Sequence, residues 1–416
     1  MSPPTPLRAP GLMESYHLAR HFLKIDSCLL VSARYICADG SILNKEQLFP
    51  ALEKVIQKHP ILAVMLQDEG TNKPSFVKLE KIELPLVVEF SNETDLESAM
   101  QRQLANRLDT TARLPLWRVE VFNDGTVIFA FHHCIGDALS GVIFHQTLLA
   151  ALQDVVPADI TLSVAIPQSL SLLPPIEAVI NLRPSLLTII SEVFSLFIPA
   201  SWKPGYKAWT ANPVPKEVPK VYQPHVKIIT FTTEEMAAFM TICRSHGATV
   251  TSAFYVLAAA VLSRLVPPNS SQYKTLAAVV AVSLRDWPAA ARYAVELQRQ
   301  KTEAAKKIGL IYLLFGNIAP FFKGMLGKKR DETFEISNVG RVPSAAATDA
   351  AERWRIERIV FAQSNLVTNA ALKINVIGDP TGAVNVALTW GKTSIDGELV
   401  ELFARQFQEG FRILLV

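Results

Sequence analysis

The sequence predicts a mixed α/β protein built from two halves, each with a β-sheet and covering helices. Three observations support this fold class. The chain has 416 residues, which is enough for about two domains. Apolar β-type runs alternate with amphipathic helical segments in both halves. Between the halves, residues 167–224 carry many of the 26 prolines, which remove backbone donors and interrupt regular structure.

The proline-rich stretch sets the predicted domain boundary. We place an N-terminal lobe at 1–170, a crossover at 171–222 and a C-terminal lobe at 223–416. Half of the residues are hydrophobic and only 19% are charged, which excludes a disordered chain. The net charge of +3 lacks the concentrated positive field that phosphate backbones require, so we expect no nucleic-acid partner.

Cysteine usage and the first residues bear on the compartment. Four scattered cysteines without CxxC spacing predict neither a disulfide framework nor a zinc knuckle. The start of the sequence lacks the apolar core of a secretory signal. Both observations predict a cytoplasmic protein.

Two apolar stretches, 184–202 and 309–326, could be mistaken for membrane spans. Prolines, glycine or charge interrupt both, and neither supplies the roughly 20 apolar residues that a span needs. We therefore expect no transmembrane span. Residues 186–197 could lie amphipathically at a lipid surface as a peripheral contact, but a buried or crevice-lining helix is the preferred interpretation.

Local signals predict the elements of the first half. Asn44 is an N-cap candidate, and apolar residues at helical spacing predict a helix at 44–58. Two β-type runs at 116–122 and 126–131 flank an Asn-Asp-Gly turn, which predicts a hairpin. The second run is apolar on both faces and is therefore expected to be a central strand buried on both sides.

The second half shows the same kinds of signal. They predict strands at 226–232, 276–284, 372–377 and 384–390, and helices at 233–247, 251–265 and 399–414. The apolar run 276–284 is expected in the interior of a sheet. The runs 372–377 and 384–390 flank Gly-Asp-Pro-Thr-Gly, so we expect them to form a second hairpin.

The most informative residues directly follow the buried strand at 126–131. They are His132, His133, Gly136 and Asp137, at the point where the strand gives way to a turn and a helix. A histidine in an apolar setting is neutral at pH 7, because burial disfavours the imidazolium. A neutral imidazole can accept a proton, so this position suits a general base.

The role of Asp137 has two interpretations. It could orient the imidazole as a triad carboxylate does, or it could pair with a cation elsewhere and hold the turn in shape. We favour the second, and Arg285, after the apolar run 276–284, is a suitable bidentate partner. The other histidines form no HExxH or CxxC set, so we predict no metal site. The absence of a G-x-S-x-G sequence disfavours a serine hydrolase.

His-His-x-x-x-Asp after a buried strand resembles the motif of the chloramphenicol acetyltransferase-like superfamily. That superfamily includes peptide-synthetase condensation domains, BAHD acyltransferases and alcohol acetyltransferases. HHCIGDALSGVIFHQTLLAAL is most similar to the active-site block of fungal alcohol acetyltransferase-like proteins, with Ala138 where that group favours glycine. Further similar segments follow in the same order over nearly the whole chain: GLMESYHLAR, KHPIL, LPLWRVEVF, KAWTANPVP, CRSHGATVTSAF, VSLRDW, ISNVGRV and FAQS.

The resemblance implies a two-lobed monomer with a tunnel where the lobes meet. It implies that His133 is the general base, that His132 is mainly structural, and that Asp137 and Arg285 form a structural ion pair. It also implies acyl-CoA as a co-substrate, no permanently bound cofactor, and a small-molecule alcohol as acceptor.

Other residues could contact the substrates. Ser337, Asn338 and Ser364 are candidates for oxyanion or substrate contacts, although Asn338 could equally belong to a turn. The basic run 328–330 could meet the phosphates of coenzyme A, although a solvated loop is the commoner meaning of such a run.

The predicted function is an acyl-CoA-dependent O-acyltransferase. It would move an acetyl or another short acyl group to a hydroxyl of a small apolar metabolite, in secondary metabolism. One alternative is a condensation-like transferase that uses a carrier-protein thioester or forms an amide. The other is a non-acylating tunnel protein that binds or cyclises a hydrophobic metabolite.

Overall fold

The computed structural model describes residues 6–71, 73–155, 162–203, 205–266, 273–281, 308–314, 318–343, 353–365 and 367–415. Its strands are β1 (Pro6–Arg8), β2 (Leu29–Cys37), β3 (Val64–Gln67), β4 (Ser75–Lys78), β5 (Lys81–Glu83), β6 (Val88–Ser91), β7 (Trp117–Phe122), β8 (Thr126–Phe131), β9 (Ser163–Ala165), β10 (Ala208–Trp209), β11 (Pro224–Phe231), β12 (Thr275–Leu276), β13 (Ala278–Ala281), β14 (Phe334–Arg341), β15 (Trp354–Gln363), β16 (Leu372–Gly378) and β17 (Val384–Gly391). Its α-helices are α1 (Leu12–Phe22), α2 (Lys45–Lys58), α3 (Leu96–Ala105), α4 (Ala138–Gln153), α5 (Ile176–Val179), α6 (Leu186–Phe197), α7 (Thr233–Ser245), α8 (Val250–Leu265), α9 (Ala319–Lys323) and α10 (Gly397–Ile413). The mixed α/β class is confirmed.

The first large sheet has the strand order β15-β2-β8-β7-β6. Strands β7 and β8 form the predicted antiparallel hairpin, and all six residues of β8 are buried, as expected for a central strand. Helices α2 and α4 pack against one face of this sheet and form a hydrophobic core with it. Helix α3 packs against the other face. Gly141 of α4 lies so close to β2 that a Cβ atom there would fall 2.4 Å from Val31 Cγ2.

The second large sheet has the order β11-β17-β16-β14-β13. Strands β16 and β17 are the predicted second hairpin. Helices α7, α8 and α10 cover this sheet through a cluster of five buried rings, Phe231, Phe239, Phe254, Phe407 and Phe411. Three smaller sheets are β1-β4-β3, β5-β9 and β10-β12.

The prediction of an interior strand at 276–284 is wrong for the part that the structure describes. There β13 lies at the edge of the sheet and pairs with β14, and Val279 remains 38% exposed. The run resembles a buried strand because residues 276–282 are all apolar, and composition alone does not distinguish the centre of a sheet from its edge. Residues 282–284 lie outside the described residues.

Strand β15 connects the two halves. It comes from the second half of the sequence but pairs antiparallel with β2, from Trp354 opposite Cys37 to Gln363 opposite Leu29. The first sheet therefore includes a strand from the predicted C-terminal lobe. The division at 1–170, 171–222 and 223–416 stays a prediction.

Helix α6 lies on the outside of the protein, so the preferred interpretation of 186–197 as a buried or crevice-lining helix is wrong. Leu187 is 79% exposed and Phe197 is 77% exposed. Prolines on both sides of the helix separate it from neighbouring elements. Peripheral contact with lipid stays a prediction. Within the described ranges, no single helix is long and apolar enough to cross a membrane, while α7 and α8 together pass that test with a 97° bend between them.

Candidate active site

The turn between β8 and α4 carries the two adjacent histidines. After β8, the backbone N–H of His132 still donates to the carbonyl of Leu116 at 2.9 Å, and that of Ile135 turns back to the His132 carbonyl at 3.0 Å. Asp137 then caps α4, because its Oδ1 accepts from the Ser140 N–H and from the Ser140 hydroxyl, both at 2.9 Å. The polar turn is thus held between a buried strand and a capped helix.

We expect Asp137→Ala to lower the free energy of unfolding by at least about 1 kcal/mol, the usual value of an N-cap, because the cap is lost. Asp137→Asn retains an oxygen that can accept from Ser140, so its loss should be smaller. Urea unfolding measures both, and Asp95→Ala is the matched control because Asp95 caps α3 in the same way. Equal losses for Asn and Ala would show that the charge of Asp137 matters and the cap does not.

His133 has the hydrogen-bonding geometry of a general base. Its Nδ1 lies 3.0 Å from the carbonyl oxygen of Gly136, which only accepts, so we assign the ring proton to Nδ1. Nε2 of the neutral ring therefore carries the free lone pair. Burial lowers the pKa of His133 below its ordinary value, although Asp26 acts in the opposite direction. The residue as a whole is only half-buried.

Gly136 fixes the conformation of the His133 turn. A Cβ atom at this position would fall 2.6 Å from Ser140 Cβ and 2.7 Å from Ser140 Oγ. We expect Gly136→Ala to displace the carbonyl that orients His133, and to lower kcat/KM by up to about 10²-fold. Steady-state kinetics of Gly205→Ala provide the control, because a Cβ atom there meets no other atom within 4 Å. A Gly136→Ala enzyme as active as the parent would contradict this role.

His132 differs from His133 in both tautomer and environment. Its Nδ1 accepts from the backbone N–H of Cys134 at 3.0 Å, so the proton lies on Nε2. Burial, and then His21, hold the pKa of His132 well below its ordinary value. Burial also raises the pKa of the Cys134 thiol well above its ordinary value, which disfavours the nucleophilic thiolate. This geometry supports a structural role for His132 and a packing role for Cys134.

Helix α1 contributes two further histidines that sequence reasoning missed. His17 stacks on His133 with ring centroids 3.6 Å apart and planes inclined by 22°. One turn later, His21 lies against His132 with centroids 4.5 Å apart. The available signal was the i, i+4 spacing of His17 and His21, which places both on one helical face.

The buried carboxylate of Asp26 acts electrostatically on His133. Asp26 Oδ1 accepts from the Ser27 N–H at 2.8 Å and from the Ser364 hydroxyl, while Oδ2 is 3.8 Å from Arg20 Nε. Burial alone would raise the pKa of Asp26, but Arg20 and the Ser364 hydroxyl outweigh it and hold this pKa below its ordinary value. Asp26 is therefore ionised at neutral pH, and its negative charge favours the protonated form of His133.

The candidate oxyanion residues lie in two parts of the fold: Ser364 directly follows β15, and Ser337 and Asn338 belong to β14. Ser364 is buried and its single hydroxyl proton points to Asp26, so in this conformation it is not a free donor for an oxyanion. Ser337 and Asn338 lie on β14, where Asn338 Nδ2 donates to Thr251 Oγ1 at 2.9 Å and Oδ1 accepts from the Gly340 N–H. Asn338 thus has partners in its own lobe.

The predicted cationic partners can be placed only in part. Arg285 lies outside the described residues, so the Asp137–Arg285 pair stays a prediction. In the basic run 328–330, Lys329 Nζ donates to two backbone carbonyls. Arg330 is buried at 2% exposure and donates to the carbonyls of Asn212, Val367 and Asn369. Its guanidinium therefore holds loops together, which corrects both the phosphate-contact and the solvated-loop interpretations for that residue.

A cavity of about 680 Å³ opens beside the motif in the first half, next to His21. Its lining mixes apolar side chains with six charged ones: Lys24, Asp68, Glu69, Arg107, Asp109 and Arg113. Among the described residues, His21, Glu69 and His132 also bring one donor atom each within 4.8 Å of one another. They could hold a metal ion, although Glu69 already accepts from the Thr110 hydroxyl and lies 3.3 Å from His21 Nδ1. The expectation of no metal site stays a prediction.

Comparison with known proteins decides the family. The family model for alcohol acetyltransferases matches residues 9–287 and 287–407. The chain belongs to this family. Membership in the alcohol acetyltransferase family confirms the resemblance seen in the sequence, and it confirms that the chain is an acyltransferase.

Individual relatives of this alcohol acetyltransferase family member agree. A probable alcohol acetyltransferase of Aspergillus fumigatus, crmB, is 24% identical over 457 residues, covering 91% of this chain and 94% of the relative. The trichothecene 15-O-acetyltransferase TRI3 of Fusarium sporotrichioides has a similar structure, with a TM-score of 0.62, 15% identity, and coverage of 98% of this chain and 94% of its own. The epimerization domain from the third module of tyrocidine synthetase B follows with a TM-score of 0.57, 10% identity, and coverage of 99% and 96%. These likenesses confirm the chloramphenicol acetyltransferase-like fold.

Proposed function

We propose that this O-acyltransferase moves an acetyl or another short acyl group from acyl-CoA to a hydroxyl of a small apolar metabolite. The family match and the acetyltransferase names of its relatives support the reaction class. The single observation that carries the mechanism is the 3.0 Å contact between His133 Nδ1 and the Gly136 carbonyl oxygen. The Gly136 carbonyl holds the proton on Nδ1, so Nε2 is the basic atom.

The proposed reaction is one direct transfer. His133 Nε2 takes the proton of the acceptor hydroxyl, and the oxygen attacks the thioester carbonyl to form a C–O bond. The C–S bond then breaks, and the His133 imidazolium gives its proton to the departing thiolate. A positioned base contributes about 10²- to 10⁴-fold in rate, and holding both reactants together supplies much of the remainder. The protonated, buried thiol of Cys134 supports a mechanism without an acyl-enzyme.

Incubation with acetyl-CoA and a panel of apolar alcohols tests the donor and the reaction together. Release of free coenzyme A thiol with formation of an ester supports the proposal, and the His133→Ala protein is the blank. Ester formation only from a carrier-protein thioester would favour a condensation-like enzyme. Tight binding of an alcohol with no transfer from either donor would favour a non-acylating protein.

The pKa of His133 sets an expected pH dependence. The base must be neutral, and burial holds its pKa below the ordinary value of about 6.5. We therefore expect kcat/KM to be constant near pH 7 and to fall on the acidic side only below about pH 6.5. A pH profile measured with a fixed thioester checks this. A fall that begins above pH 7 would mean that His133 is charged in the free enzyme and would contradict the assignment.

A further inference from the structure

Two imidazole rings lie face to face at the site, and the proposed mechanism uses only one of them. His17 belongs to α1 and is 7% exposed, and its ring centroid is 3.6 Å from that of His133. Aromatic pairs usually have centroids 4.5–7 Å apart and avoid a direct face-to-face arrangement. In the described part of the chain, His17 Nδ1 has no hydrogen-bond partner although it is buried. Packing, and not a hydrogen bond from Nδ1, therefore holds the His17 ring against His133.

The surrounding charges keep His17 neutral. Burial lowers the pKa of His17 well below its ordinary value, and the neighbouring rings His133 and His132 and the cations Arg20 and Lys373 lower it further. If His17 and His133 were both protonated, two positively charged rings would lie with their centroids 3.6 Å apart.

The charges around His133 are different. Burial disfavours its protonation most, and Arg20 does so as well, but two carboxylates, Asp26 and Asp137, favour it, as does the hydrogen bond to Gly136. Of the two stacked rings, His133 is therefore the one that takes a proton, and it does so with a neutral ring lying on its face.

We propose that His17 is a positioning residue for His133: its neutral ring face fixes the orientation of the base and stabilises the imidazolium formed during acyl transfer. The inference rests on the proposed function and deepens it. A cation within about 6 Å of an aromatic face is attracted by the π-electrons, more strongly when both groups are desolvated. The neutral imidazole offers such a face at 3.6 Å, and this attraction corresponds to a factor of about 2 to 30 in rate.

Two substitutions of His17 separate its ring face from its nitrogens. His17→Phe retains a flat aromatic face, and His17→Leu retains apolar volume without one. We expect His17→Leu to lower kcat by about 2- to 30-fold, with both KM values changed by less than about twofold. His17→Phe should restore kcat to near the parent value. Losing imidazolium stabilisation also lowers the pKa of His133, so the acidic limb of kcat/KM should move to lower pH in His17→Leu and stay in place in His17→Phe.

Leu18→Ala is the matched control for damage to α1. Leu18 is buried on the same helix in an apolar cluster that includes Phe76 and Cys134. Its truncation should destabilise the helix but retain the His17 ring face, so we expect the position of the acidic limb to stay unchanged. Thermal unfolding of all variants is measured beside the kinetics. If Leu18→Ala reproduces both the loss of kcat and the shift of the limb, the effect is general loosening of α1 and the proposal is wrong.

A second measurement needs no turnover. NMR titration of the His133 ring protons, assigned by comparison with His133→Ala, should show a lower pKa in His17→Leu than in the parent or His17→Phe. This shift supports the stacking role even if the protein transfers no acyl group, so failure of the proposed function remains distinguishable. Unchanged His133 titration in His17→Leu overturns the inference. Equal loss of kcat in the Phe and Leu variants also overturns it, because a nitrogen of His17 would then be what matters.

Discussion

Replacement of His133 by alanine is expected to lower kcat/KM by about 10²- to 10⁴-fold, because it removes the proposed general base. The fold should remain intact, since His133 is half-buried and, among the described residues, its ring makes one hydrogen bond, to the Gly136 carbonyl. Losing such a bond costs about 1 kcal/mol of unfolding free energy. Steady-state kinetics and thermal unfolding of the same preparation measure both effects.

His246→Ala is a close control for this experiment. His246 Nδ1 lies 3.0 Å from the carbonyl of Ile242 at the end of α7, so its replacement removes the same kind of ring-to-backbone bond on an exposed surface. We expect its kcat/KM to equal that of the parent. If His133→Ala keeps activity within about tenfold of the parent, His133 is not the base.

The second large effect is expected at Asp26. Asp26→Asn leaves Arg20, only 4% exposed, without its opposing charge. Breaking a buried pair by removing one partner typically costs about 3–5 kcal/mol of unfolding free energy. Asp26 also raises the pKa of His133, so the acidic limb of kcat/KM should move to lower pH in this variant.

Urea unfolding of Asp26→Asn measures the predicted loss of unfolding free energy, and Glu357→Gln is the matched control. Glu357 pairs with Arg34 at 3.0 Å, but both side chains are about 40% exposed, and such pairs contribute at most about 1 kcal/mol. The folded-state pKa of Asp26 lies below its unfolded value of about 3.9, so its contribution is present above that pH and is lost as the pH falls through the folded pKa. Parent and variant should therefore converge in acid. A loss below about 1 kcal/mol at pH 7 would contradict the buried-pair interpretation.

Helices and hairpins whose capping, spacing and turn residues all lie within one short segment could be predicted from the sequence. Helix α2 begins after Asn44, whose side chain caps it as expected, and both hairpins form around their glycine-containing turns. The position of His133 after a buried strand was predictable for the same reason. Each of these features depends on residues within one short window, where hydrophobic spacing and turn chemistry decide the conformation.

Other features depend on contacts between distant parts of the chain. Asp26 and Ser364 are 338 positions apart, yet they share a hydrogen bond beneath the motif. The stacking of His17 on His133 likewise follows from how α1 packs, which no local pattern specifies. Sequence reasoning therefore identified His133, the proposed base, but missed Asp26 and His17, which lie near it.

The location of an apolar segment was the least predictable property. Helix α6 and strand β13 were both expected in interiors because of their composition, and the structure places the helix on the surface and the strand at a sheet edge. Composition reports how favourable burial would be, whereas exposure depends on which other elements are available to cover a segment.

The pairing of β15 with β2 has a consequence for how the chain reaches its native state. During synthesis, β2 is completed more than 300 residues before its neighbour β15 emerges. Until then one side of β2 presents unpaired amide and carbonyl groups, a geometry that invites pairing with another molecule. A fragment ending at the proline-rich crossover would keep that open edge permanently. Such a fragment is expected to aggregate unless residues 354–363 are supplied in trans.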